Sequence, residues 1–164
     1  ALPILNFMGN ELAHFREWDE NRELDWFLLE YAKHAAFKRF MQDLNQIYRH
    51  HPCLSRYDYT QNGFRWIDAD NASQSIYSFY REDEKSVILV LLNMTPIAYE
   101  GFRIGVPYEG NYVEIINTEK AIYDGCDMCN FQPVHSDAIH NHGYHHSINV
   151  RIAPFTAVYF EFTK

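Results

Sequence analysis

The hydrophobic period of this chain changes once, near Arg56, and the change separates a short helical part from a long β part. Within 33–50 the apolar residues Phe37, Phe40, Met41, Leu44 and Tyr48 recur at helical spacing, with Lys38, Arg39, Gln42, Asp43 and Gln46 largely opposite. That spacing predicts an amphipathic helix, ended by Pro52. Leu24, Phe27, Leu28 and Tyr31 predict a shorter helix over 23–31. Beyond Arg56 the apolar residues alternate, and strands are predicted over 64–68, 75–81, 86–93, 102–106, 112–117, 147–152 and 156–162. Gly63, the stretch 70–73, the charge run 82–85 and the turn at 107–110 separate several of them. The run 87–92 is apolar on both faces and reads as a central strand. So many short strands favour a two-sheet antiparallel sandwich of Greek-key kind. The remaining stretch, 118–144, is long and polar, and reads as a functional loop or a surface excursion.

At 164 residues the chain holds one full core, with room for an attached piece of another domain. Aromatic residues reach 16%, an excess that suits a β-rich core and equally suits rings stacking on sugars. A formal charge of −8 argues against nucleic acid or an anionic membrane as partner. The longest apolar run falls far short of the ~20 residues of a membrane span, and the first residues lack the pattern of a signal peptide. Three cysteines, an odd number, make no disulfide framework and point to a reducing cytoplasm.

The stretch 7–26 is least explicable by folding needs alone. It follows a short apolar run that includes Ile4, Leu5, Phe7 and Met8 and ends at Gly9, read as a buried strand over 1–8. Asn10, Glu11, His14, Arg16, Glu17, Asp19, Glu20, Asn21, Arg22 and Asp25 then crowd around Trp18 and Trp26 without a clean period. Active-site loops leave the strands of a (β/α)8 barrel in this way, and so does a surface loop anchored by two tryptophans.

FMGNELA at 7–13, REWD at 16–19 and LDW at 24–26 resemble the end of the catalytic domain of bacterial glycogen branching enzymes, the 1,4-α-glucan branching enzymes of the α-amylase superfamily. The resemblance continues in order through DLNQIYRHHPCL at 43–54, GFRWIDADN at 63–71, NMTP at 93–96 and FRIGVP at 102–107. It closes with INT at 116–118, VHSD at 134–137 and the His142-Gly143 pair before His146 and Ser147. It implies that residues 1–53 are the last strand, loop and helix of a catalytic barrel, and that 54–164 form the C-terminal all-β domain. The parent would make α-1,6 branches in glycogen, its partners being α-glucan and the rest of the barrel, with no cofactor.

Retaining transglycosylation needs a carboxylate nucleophile and a carboxylic acid about 5–5.5 Å apart. In the resembled family these groups, with a third stabilising Asp, follow earlier barrel strands, so no catalytic residue is assigned here. Asn10, Glu11, Arg16, Trp18 and Trp26 are instead candidate rim residues that position loops or contact distant glucose units. Each also has a plain structural reading, as a hydrogen-bonded polar group or a packing anchor. Two rivals stand beside this assignment. One is a free-standing sandwich that binds α-glucan through surface aromatics. The other is a zinc-stabilised interaction domain, in which Cys126 and Cys129 of a CxxC would join His135 and His140, with His142, His145 and His146 nearby in sequence. The two cysteines depart from the branching-enzyme pattern, where small residues are usual.

Overall fold

The computed structural model describes residues 7–163. One long helix, α1 (Ala32–His50), precedes eight strands: β1 (Phe64–Asp68), β2 (Ile76–Glu82), β3 (Val87–Asn93), β4 (Tyr99–Val106), β5 (Asn111–Asn117), β6 (Val134–His135), β7 (His146–Ile152) and β8 (Ala157–Thr163). All pairings are antiparallel. The layers are unequal: a six-stranded sheet ordered β1-β2-β3-β8-β5-β6 faces a two-stranded sheet of β4 and β7. The chain leaves the large sheet after β3, returns for β5, leaves again for β7 and comes back as β8, which lies between β3 and β5.

Alternation along each strand decides what lies between the layers. Ile76, Leu89, Leu91, Val158 and Phe160 from the large sheet meet Phe102, Ile104, Val106, Ile148, Val150 and Ile152 from the small one, and each is at most 8% exposed. Tyr112 is wholly buried there and donates its hydroxyl to the Tyr108 carbonyl at 2.9 Å, which satisfies its polar end. Strand β3 is central, as its unbroken apolar run requires. Its other face, Ile88 and Val90, packs under Cys53 and Leu54, flanked by Ile47 and Tyr48 from α1 and by Phe79, Leu92, Ile115 and Tyr159. The last turns of α1 therefore cover the outer face of the large sheet.

Several motifs turn out to be loop anchors. Asn93 is fully buried and donates to the carbonyls of Ile97 (2.7 Å) and Ala153 (2.8 Å), while its oxygen accepts from the Thr95 amide (3.1 Å) and hydroxyl (2.8 Å). Asn117, also fully buried, accepts from the Glu119 amide (2.9 Å) and the Thr156 hydroxyl (3.1 Å) and donates to the Met128 carbonyl (3.2 Å). Gly105 lets the 140–145 hairpin lie against β4, because a Cβ there would stand 2.2 Å from the Asn141 carbonyl oxygen.

Three expectations need adjustment. The expected strand over 1–8 lies largely outside the described residues, and Phe7 and Met8 belong to a loop. The helix expected over 23–31 is a 3₁₀ segment, Trp26–Glu30, alone. Arg16 accounts for the difference: it donates to the Glu23 carbonyl (2.6 Å) and grips the Asp25 carboxylate, holding 23–25 out of helical geometry. The 118–144 stretch carries a short 3₁₀ turn, Ala121–Tyr123, and the edge strand β6, which two residues of alternation were too few to reveal.

Candidate functional site

Loop 7–18, one face of α1 and the outer face of the large sheet enclose a groove of about 1160 Å³. Its walls are mostly aromatic and aliphatic, with Phe7, Met8, Phe15 and Trp18 from the loop, Phe37, Met41, Leu44 and Tyr48 from α1, and Phe79, Val90 and Tyr159 from the sheet, interrupted by Asn10, His14, Arg16, Glu17, Asn45 and Arg81. That volume exceeds the roughly 300–1,000 Å³ of an ordinary ligand pocket. Apolar side chains at its edge are uncovered, with Phe15 86% and Phe37 36% exposed, and no residue of α1 is fully buried.

Local hydrogen bonds hold the loop in place. Leu12 and Leu28 are its buried anchors. Nδ1 of His34 on α1 donates to the Leu12 carbonyl at 2.7 Å. Arg16 forms a forked pair with Asp25, Nε to Oδ2 at 3.0 Å and an Nη nitrogen to Oδ1 at 2.9 Å. The bond to Arg16 holds the Asp25 carboxyl below its usual value of 3.8, opposed in part by desolvation. The Asp25 amide donates to Nε2 of His14 at 3.1 Å, so the ring proton sits on Nδ1. That Nδ1 and the Glu11 Oε2 are both buried and find no partner among the described residues.

The rim candidates therefore separate. Asn10, Arg16 and Trp18 line the groove. Trp18 is 39% exposed and takes the Phe7 ring edge-on at 5.4 Å between centroids. Glu11 lies partly buried beside these residues in sequence without lining the groove. Trp26, 45% exposed, also stands outside the lining and receives the Lys38 ammonium 5.4 Å from its ring centroid. Sequence reasoning did not single out His14, Phe15, Phe79, Arg81 or Tyr159 as site residues. Phe79 and Tyr159 were readable only as strand residues, and only the packing of α1 shows which sheet face they share.

The cysteine and histidine candidates do not converge. Among the described residues no three His, Cys, Asp or Glu side chains stand close enough to hold a metal ion. Cys126 is exposed and its Sγ lies 3.1 Å from Glu119 Oε2. Cys129 is buried, and desolvation with the nearby Glu114 and Asp127 carboxylates pushes its thiol up to about 12, away from the thiolate a metal needs. His135 bonds Asn111 at 3.0 Å, and His140 bonds His145 at 3.0 Å.

A sequence profile of the alpha amylase C-terminal all-beta domain matches residues 66–163, the whole strand-bearing part from within β1 to β8. The chain belongs to this family. Over 94% of its length, this all-beta domain and its preceding helix are 38% identical to the 1,4-alpha-glucan branching enzyme GlgB of Nitrosococcus oceani and 41% identical to that of Methylobacillus flagellatus. The GlgB of Aquifex aeolicus is 39% identical over 94% of the chain. The chain spans about a fifth of the first two relatives, 21% of each, and 25% of the third. Among solved structures, an alpha-amylase from H. orenii is 12% identical with a TM-score of 0.44, covering 77% of this chain and 20% of that one. That structural likeness is too slight to argue from.

Proposed function

We propose that this chain is the C-terminal part of a 1,4-α-glucan branching enzyme of the cytoplasm, and that the groove is the seat of the rest of its catalytic barrel. The observation that carries the reading is the likeness to branching enzymes along 94% of the chain, which runs through loop 7–31 and α1 as well as the sandwich. A largely apolar groove, too large for a small ligand and left open, supports it. On this reading residues 1–53 close the barrel and 54–164 brace it from outside. The two catalytic carboxyl groups, about 5–5.5 Å apart in a retaining enzyme, belong to the remainder of the barrel. Asn10, Glu11, Arg16, Trp18 and Trp26 form part of the rim. Arg16, tied to Asp25 and the Glu23 carbonyl, positions the loop, while Trp18 and Trp26 offer rings to distant glucose units.

The test is the reading frame upstream of Ala1 together with an iodine-complex assay on amylose. A frame that supplies a barrel with two Asp and one Glu at strand ends, and a purified chain that leaves the amylose–iodine colour unchanged, are the expected results. A start codon just ahead of Ala1, or branching by the chain alone, overturns the proposal.

A second reading, a free-standing α-glucan-binding sandwich, is favoured by the aromatic patch on β1 and β2. There Trp66, 51% exposed, packs edge-on against Phe64 and Phe79 with centroids 5.2 and 5.5 Å apart. Retardation in a glycogen-containing gel that Trp66→Ala abolishes would support it; unretarded migration of the parent chain would remove it.

A further inference from the structure

The segment between β6 and β7 folds back on itself as a tight hairpin. Asn141 and Tyr144 exchange backbone hydrogen bonds in both directions, at 3.2 and 2.9 Å. His142 (φ 47°) and Gly143 (φ 81°) at the tip both hold the positive φ that a two-residue type I′ turn requires. The next pair outward is His140 and His145. In an antiparallel ladder the pair beyond a hydrogen-bonded one is where facing side chains approach most closely. Both histidines are exposed, and their rings converge. Nδ1 of His145 is 3.0 Å from Nε2 of His140. The ring centroids are 4.5 Å apart and the ring planes cross at 82°.

Those distances can be compared with a chelate. With metal–nitrogen bonds of about 2.05 Å and a right angle between them, two imidazole nitrogens stand about 2.9 Å apart and the ring centroids about 4.5 Å. A tetrahedral angle gives about 3.3 Å and about 5.2 Å instead. The observed pair matches the right-angled case on both measures. Right angles between neighbouring ligands belong to the tetragonal geometries of copper and nickel, for which imidazole is a favoured donor.

We propose that His140 and His145 form a two-imidazole site for a divalent nickel or copper ion, with water completing the coordination. The ion joins the two arms of the hairpin across its open side. It is a different site from one built on the CxxC: Cys126 and Cys129 are engaged with carboxylates, and His135 with Asn111. His142 is committed elsewhere too, its Nδ1 accepting from the Gly105 amide at 3.2 Å and its Nε2 facing Asp68 at 3.5 Å. The formal charge of −8 leaves the molecule attractive to a dication.

The test is calorimetric titration of the full chain with NiCl₂ under reducing conditions, in parent protein and in C126S, H140N, H145N and H135N variants. Backbone NMR spectra of each variant, taken first, confirm that all have kept the fold. The expected result is one saturable equivalent of nickel, weakened at least tenfold in H140N and in H145N and unchanged in H135N and C126S. In NMR spectra with trace CuCl₂, the amides of 140–145 broaden first. Nickel binding by H140N or H145N within twofold of the parent overturns the proposal, as does loss of binding in C126S or H135N. Absence of saturable binding up to millimolar nickel reduces the pair to a plain hydrogen bond and overturns it equally.

Discussion

Asn93 and Asn117 are buried polar residues at the ends of β3 and β5, and each bonds backbone groups of the adjoining loops. Truncating either leaves buried donors and acceptors unpaired, at a cost of roughly 1–3 kcal/mol per group. Asn93→Ala should therefore lower the unfolding free energy in urea by about 2–3 kcal/mol. Asn149→Ala, at an exposed position on β7, should shift it by less than about 0.5 kcal/mol. The Arg16–Asp25 pair acts on the loop instead. Because the folded Asp25 carboxyl sits below its ordinary 3.8, the pair's contribution is complete above that value and disappears as pH falls through the folded one. The Arg16 Nε–H resonance should stay protected from exchange at pH 5 and lose protection as pH falls below 3.8 and Asp25 protonates. In Asp25→Asn that protection should already be reduced at pH 5, with little further change on acidification.

Helix α1 shows how one element can serve two surfaces. Its apolar stripe is long enough for two neighbours, and only the C-terminal end, through Ile47 and Tyr48, is occupied by the sheet. The N-terminal end, through Phe37 and Met41, faces the open groove. Substitutions at the two ends should thus differ in kind. An uncovered apolar end is expected to draw copies of the chain together, so Phe37→Ser should change stability by less than about 1 kcal/mol and lower the sedimentation coefficient reached at high concentration. Beneath the occupied end, Ile88→Ala should cost about 2–5 kcal/mol, read by urea unfolding, because it opens a cavity in a packed layer.

For the molecule as a whole, the proposed boundary between 53 and 54 falls inside the short turn Pro52–Leu54, whose Cys53 and Leu54 are part of the outer-face core. The two segments share that core, so packing draws no boundary at that point. Limited proteolysis should cut first in the exposed 59–62 loop, yielding two pieces that stay associated on gel filtration. Separation of the cut pieces without denaturant would contradict a shared core. The same organisation explains how a lopsided sandwich stays folded. The two-stranded layer covers the inner face, and α1 with the 52–54 turn covers part of the outer one.

The sequence by itself determined the elements. Period-2 alternation with turn residues between the runs placed seven of the eight strands within a few residues, and helical spacing placed α1. These are local properties, fixed by which side chains neighbour one another along a strand or a helix turn. Ordered motifs such as NMTP and INT carried the resemblance, although their asparagines do structural work that only the folded contacts reveal. Tertiary structure alone decided the rest: six strands against two, which face of β2 and β8 lines the groove, and the withdrawal of 23–25 from a helix by Arg16. It also decided that Cys126, Cys129 and His135 go to separate partners while His140 meets His145. Each of these depends on how the backbone brings side chains together, across the sheets or around a turn, and neither composition nor hydrophobic period encodes that meeting.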